Sequence, residues 1–152
     1  MAVRYFCHAS IDSPRVQDRA LSSTLLGGRR RLENVSLEWE QTNIDAKDPV
    51  RLGRWWQQAL GWVVADEAPD VFEIQPAPDQ FPGLLFIRVP EAKTVKNRLR
   101  LDFRPDDQDL EVERLLALGA SRVDIGQGDR SWVVLADPEG NEFCVLGERS
   151  TH

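Results

Sequence analysis

The sequence predicts an α+β fold: two βαβββ modules paired into a curved, cavity-forming mixed sheet with the helices outside. Three observations predict it. Asp48-Pro49, a helical stretch and Leu60-Gly61 are answered later by Asp106-Asp107, another helical stretch and Leu118-Gly119. Each of these runs follows one strand-like segment and precedes two or three more. The two Leu-Gly pairs lie 58 residues apart, too far for a solenoid repeat but suited to two copies of one supersecondary module. Two such modules packed together leave a concave ligand site between them.

Residues 1–35 have weak periodicity and form an N-terminal appendage, partly helical or flexible. Ser13-Pro14 can open a short helix from Arg15 to about Leu26, ended by Gly27-Gly28. The first module spans 36–89. Val35 to Ile44 alternates as a half-buried strand, with Val35, Leu37 and Trp39 on one side. Asp48 caps a helix whose first turn suits Pro49; Leu52, Trp55, Trp56, Ala59 and Leu60 make its apolar stripe, and Gly61 ends it. Strands follow at Trp62–Ala65, Val71–Gln75 and Leu84–Val89, separated by Pro- and Asp-rich turns. The second module, 97–147, restarts with Arg98–Arg104, where Leu99, Leu101 and Phe103 alternate with Arg98, Arg100 and Asp102. Asp107 or Asp109 caps a helix carrying Leu110, Leu115, Leu116 and Leu118, stopped by Gly119. Strands at Arg122–Ile125, Ser131–Ala136 and Glu142–Leu146 complete it, the last two joined by the turn Asp137-Pro138-Glu139-Gly140-Asn141. Residues 148–152 are a tail.

The bulk numbers exclude several function classes. At 17.3 kDa the chain can bury a real core. Its apolar runs are too short to cross a bilayer, and Met1 to Ile11 lacks the pattern of a secretory signal. Cys7 and Cys144 lie far apart with no Cys-x-x-Cys, so a reducing cytoplasm is expected. The net charge is −6, with residues 1–35 at +3 and the rest at −9. An acidic globule without a basic face repels nucleic acid, and Arg29-Arg30-Arg31 reads as a solvated linker.

Two stretches carry a resemblance. Asp48-Pro49 through Trp55-Trp56 to Leu60-Gly61-Trp62, and Leu135-Ala136-Asp137-Pro138-Glu139-Gly140-Asn141-Glu142-Phe143, resemble the first helix and closing hairpin of the vicinal oxygen chelate superfamily. That superfamily includes glyoxalase I, extradiol dioxygenases, and fosfomycin and bleomycin resistance proteins. The run Pro90–Arg98 is similar to its glyoxalase-like domain sub-group, so residues 36–147 are read as that domain. In metal-using members the resemblance implies four inward ligands, usually His, Gln or Glu. Carried over, they fall on Gln41, near Ile87, on Arg100 and on Cys144. Only Gln41 suits a hard divalent cation. Ile87 offers no donor, Arg100 is a permanent cation, and His8 and His152 lie outside the matched region. Glu142, two residues from Cys144, is the one residue that could restore a carboxylate ligand. No metal or other cofactor is therefore expected, with a divalent metal as the alternative.

If Gln41, Arg100 and Cys144 face the cavity, alternation adds Trp39, Asn43, Arg98, Asp102 and Glu142. Arg100 is then either half of a structural ion pair with Asp102 or Glu142, or the anchor of an anionic oxygen of a ligand. Trp55 and Trp62 are assigned to the core, and Trp39, Trp56 and Trp132 to a ligand wall suited to a flat or cationic molecule. Cys144 is read as a small buried hydrophobe. Lys93, Lys96, Asn97 and Arg98 form a cationic loop: a solvated turn, a gate for an anionic ligand, or a dimer contact. The expected function is metal-free binding of a small molecule, akin to bleomycin-resistance-type proteins, in a homodimer. The alternatives are a metal-dependent lyase, isomerase or dioxygenase; proton transfer by Arg100 and Glu142; and a non-catalytic interaction module.

Overall fold

The computed structural model describes residues 37–126 and 128–147. The Ser13-Pro14 helix, the Arg29–Arg31 run, Cys7, both histidines and the tail lie outside them.

β1 (Gln41–Ala46) leads through Asp48 into α1 (Pro49–Leu60). The Asp48 carboxylate accepts from the Arg51 amide at 3.0 Å, Pro49 occupies the first turn, and Gly61 closes the helix at φ 67°. β2 (Val63–Ala68), β3 (Val71–Gln75) and β4 (Gly83–Arg88) follow, in the sheet order β1-β4-β3-β2, with β1 parallel to β4 and the other pairs antiparallel. The second module repeats the plan with β5 (Leu101–Phe103), α2 (Gln108–Leu118), β6 (Ser121–Arg122), β7 (Trp132–Ala136) and β8 (Glu142–Leu146), in the order β5-β8-β7-β6. Asp107, not Asp109, caps α2, accepting from the Leu110 amide at 3.0 Å. The expected α+β pair of modules is present, and the sheets stay open.

Each sheet turns its apolar residues toward a helix. Ile44 and Ala46, Leu84 and Phe86, and Phe72 and Ile74 pack with Leu52, Trp55 and Trp56; Leu101, Phe103, Val133, Leu135, Phe143 and Val145 pack with Val112 and Leu115. All belong to one core cluster, because Trp55 and Trp56 of α1 also stack against Phe103 and Phe143 of the second module. Gly53 is required by that packing: a Cβ there would lie 2.2 Å from the Phe72 ring.

Polar contacts lock the modules. The closing turn folds around Asp137, whose carboxylate accepts from the Glu139 and Asn141 amides, the Asn141 side chain and, at 2.9 Å, Trp56 Nε1. Glu139 reaches to the start of α1 and accepts from the amides of Lys47 (2.8 Å) and Asp48 (2.9 Å). There a carboxylate satisfies two backbone donors just before the helix and complements its dipole. Trp55 Nε1 donates to the Leu118 carbonyl, and Arg114 to that of Ala59.

Several strand limits differ from expectation. β1 begins at Gln41, leaving Leu37 and Trp39 exposed. Gln41 pairs with Gly83, the first residue of β4; the residue before it, Pro82, has no N–H with which to extend the ladder. β5 is three residues rather than seven, with Leu99 89% exposed, because its partner β8 starts directly after the turn. β6 stops at Arg122, and Gly126 and Gly128 follow at positive φ.

Candidate functional site

β1 and β5 are end strands of their sheets, and a cavity of about 540 Å³ lies where these edges meet the connection between the modules. Thr42 to Asp45 of β1 line one side and Arg98 to Leu101 the other. The connecting residues Glu91 to Asn97 arch along it, Glu139, Asn141 and Glu142 close one end, and Ile44, Trp56, Leu101 and Phe143 give it apolar surface.

The connection is pinned by one buried acid. Glu142, only 8% exposed, holds Lys93 Nζ at 3.0 Å and accepts from the Asn97 amide, also at 3.0 Å. Burial pushes its carboxyl up, but the Asn97 amide and the Lys93 ammonium together outweigh that and hold it below the ordinary value. The expected Arg100–Glu142 pair is thus replaced by Lys93–Glu142. The flexible ammonium of the connection reaches the carboxylate and Arg100 turns elsewhere.

Arg100 instead sits with Asp102 around Cys144. The Asp102 carboxylate and the Arg100 guanidinium act on the thiol in opposite senses. Burial, then the Asp102 charge, push the thiol up to about 11, against the opposing pull of Arg100. Cys144 is a protonated, buried thiol, as a small core residue would be. On the first sheet Gln75 donates to Glu73 at 3.2 Å. Desolvation raises the Glu73 carboxyl despite this bond, with the neighbouring Asp66 and Glu40 charges adding to the rise.

The model of the family described as a glyoxalase-like domain matches residues 41–146. The chain belongs to that family. It thereby joins the vicinal oxygen chelate superfamily, and solved structures agree in fold. A glyoxalase/bleomycin resistance protein/dioxygenase family enzyme from Burkholderia phytofirmans is 20% identical with TM-score 0.59, over 73% of this chain and 98% of its own. A protein of Agrobacterium tumefaciens solved by NMR is 16% identical with TM-score 0.60, over 75% and 99%. The bleomycin resistance determinant encoded on transposon Tn5 is 14% identical with TM-score 0.51, over 75% and 100%. At these identities the likeness speaks to fold alone. No curated protein matches the sequence.

The residues of this glyoxalase-like domain do not fit the divalent ion that metal-using relatives imply. The β1–β4 register sets Gln41 beside Gly83, with Leu85 two residues on, while Ile87 pairs with Asp45 at the far end of the strand. The family's second position, near Ile87, shares that face with Gly83 and Leu85, and none of the three has a side-chain donor atom. Arg100 repels a cation, and Cys144 holds its proton far above neutral pH. Glu142 is occupied by Lys93 and Asn97. Among the described residues no three His, Cys, Asp or Glu converge as metal ligands.

Five of the ten residues assigned to ligand contact line the cavity: Asn43, Trp56, Arg98, Arg100 and Glu142. Trp56 does so only with part of a ring that is otherwise core. Gln41, Asp102 and Cys144 do not line the cavity, and Cys144 is buried. Trp39 is exposed and donates to the Gln41 carbonyl; Trp132 lies on β7 beneath Arg130. The sequence marks the connection as a cationic loop, whether solvated turn, gate for an anionic ligand or dimer contact, but not what anchors it. Its anchoring to Glu142 joins positions 45 and 49 residues apart and leaves no local pattern.

Proposed function

We propose that this glyoxalase-like domain binds a small organic molecule in the cavity between its two modules without a catalytic metal, in the manner of bleomycin-resistance-type proteins. One observation carries the reading: a cavity of about 540 Å³, the size of ordinary ligand sites, stands beside family positions whose side chains cannot hold a metal. Its apolar surface would take the body of a ligand and its polar rim would orient it. Proton transfer by Arg100 and Glu142 has less support, since Glu142 is held ionised by two donors and Arg100 stays charged. The reading includes a cytoplasmic homodimer, in which a second copy could cover the exposed Leu37, Trp39, Val95 and Leu99. Among the described residues no helix is long and apolar enough to cross a membrane.

Elemental analysis of the purified chain, with Gln41→Ala alongside, tests the metal-free part. The expected result is divalent metal well below one equivalent in both proteins. A stoichiometric ion lost from Gln41→Ala would overturn it. Calorimetric titration with bleomycin and with small aromatic acids and amines tests binding, and heat from none of them would count against a ligand-binding role.

A further inference from the structure

The charges around the cavity are not equivalent. Of its four acids, Glu139 is committed to the Lys47 and Asp48 amides, and Glu142 to Lys93 and the Asn97 amide. Of its four cations only Lys93 is spent in this way. Among the described residues no ion pair engages Lys96, Arg98 or Arg100. Arg100 shares the surroundings of the Cys144 thiol with Asp102 but makes no ion pair with it.

These three free cations fall within five consecutive residues on one wall, where the connection enters β5. The two uncommitted acids are separated, Asp45 on β1 and Glu91 at the start of the connection. Beside the cations lies the apolar surface of Ile44 and Leu101, with the buried Trp56 and Phe143 behind it. Charge and apolar area are thus juxtaposed as an amphipathic anion would need. Arginine suits a planar carboxylate in particular, because its fork of donors matches two oxygens at once.

We infer that the cavity selects small molecules with an apolar, flat body and a carboxylate head, the body against Ile44 and Leu101 and the head on Arg98 and Arg100. This rests on the ligand-binding reading above and names the class of ligand. It also gives the Lys93–Glu142 contact a second consequence: by holding the connection down, it keeps Lys96 and Arg98 at the rim.

Three probes of one shape separate the possibilities: 1-naphthoate, 1-naphthamide and 1-naphthylmethylammonium, titrated into the full chain and followed by tryptophan fluorescence. Amide shifts of residues 42–45 and 91–101 locate the binding. Naphthoate should bind about tenfold more tightly than the amide and more tightly still than the ammonium. Arg98→Gln together with Arg100→Gln should erase that preference, bringing the affinity for naphthoate down to that for the amide measured on the same variant. Added salt should weaken naphthoate alone. Equal binding of all three probes, indifferent to the double variant, would overturn the anion preference and leave the ligand-binding reading intact. Preference for the ammonium would overturn it in favour of Asp45 and Glu91. No binding by any probe up to millimolar concentration would overturn both readings.

Discussion

Replacing Glu142 by Gln tests how the connection is held. The substitution keeps the shape and one oxygen, so the Asn97 amide retains an acceptor, but the charge facing Lys93 is lost. The carboxylate is 8% exposed and the lysine side chain 20%, with 3.0 Å between them, so this pair is far from the solvent-screened class whose contribution is near zero. A hydrogen bond to a charged group contributes about 1.5–3 kcal/mol. Lys93 recovers part of that by swinging into water, so the expected loss is about 1–2 kcal/mol at pH 7. For a chain of this size that is a fall in Tm of about 2–8 °C. Lys93→Met should cost about 2–3 kcal/mol, because it leaves a buried carboxylate with the Asn97 amide as its remaining partner. The pH dependence has a definite sign. A carboxyl held below its ordinary value of 4.5 binds its proton less readily folded than unfolded. Its stabilisation is therefore complete above about 4.5 and is lost as pH falls through the folded value. Urea unfolding of wild type and Glu142→Gln between pH 7 and pH 3 should give curves that converge toward the acid end. A Glu142→Gln protein within about 0.3 kcal/mol of wild type at pH 7 would refute the latch; the substitution errors of such measurements are smaller than the effect expected.

Other sites give independent tests. Gly53→Ala places a Cβ 2.2 Å from the Phe72 ring, and should destabilise by about 1–3 kcal/mol in urea unfolding, with Phe72→Leu relieving part of the loss. Glu139→Ala removes the acceptor of two amides at the entry to α1 and should cost about 1–2 kcal/mol, read as a lower midpoint with an unchanged urea slope. Trp56→Phe keeps the aromatic packing but removes one of the two donors to Asp137 Oδ2, leaving the Asn141 side chain, for about 1 kcal/mol by the same measurement. In a Cys7→Ser background, the Cys144 thiol, pushed up to about 11, should react with a disulfide reagent at pH 8 only at the rate of unfolding; prompt labelling of native protein would contradict its burial.

The features that local physics fixes were readable from the sequence. Asp48-Pro49 and Gly61, and Asp107 and Gly119, bound their helices because caps and left-handed glycines act within one turn. β3 and β8 have the limits expected of them because both are fully flanked by partners. Strand ends set by a distant partner were not readable: β1 starts where Pro82 ends β4, and β5 is short because β8 follows the turn at once. The site divides in the same way. Asn43 on β1 and Arg100 just before β5 both reach the cavity wall, but which cation answers Glu142 depends on how a connection folds back, and Lys93 has no sequence relation to it that would mark it out. Trp56 shows a second limit. Helix spacing puts it on the apolar face, yet its role is decided by Asp137, 81 residues away.

The register also explains why the two modules contribute unequally to the cavity. Gln41 pairs with Gly83 on the first sheet, and the equivalent places on the second are Arg100 and Glu142, one residue before the Leu101–Phe143 pair. Two places further along each strand stand Asn43 with Leu85 in the first module and Asp102 with Cys144 in the second. The first module thus presents amides, a glycine and a hydrocarbon, and the second every ionisable group of the set. A metal site shared by both sheets needs donors from each, and here the first sheet supplies only the neutral amide oxygens of Gln41 and Asn43. The charge on the second sheet has other uses: Glu142 holds the connection, Asp102 and Arg100 flank the Cys144 thiol, and Arg100 reaches the cavity wall without an ion pair. That division has a consequence for engineering. Placing His at Arg100 alone would not restore metal binding, because Gly83 and Leu85 would still offer nothing from the opposite sheet. A gain of stoichiometric divalent metal by Arg100→His, measured by elemental analysis, would show that the open faces converge on different partners than this register implies.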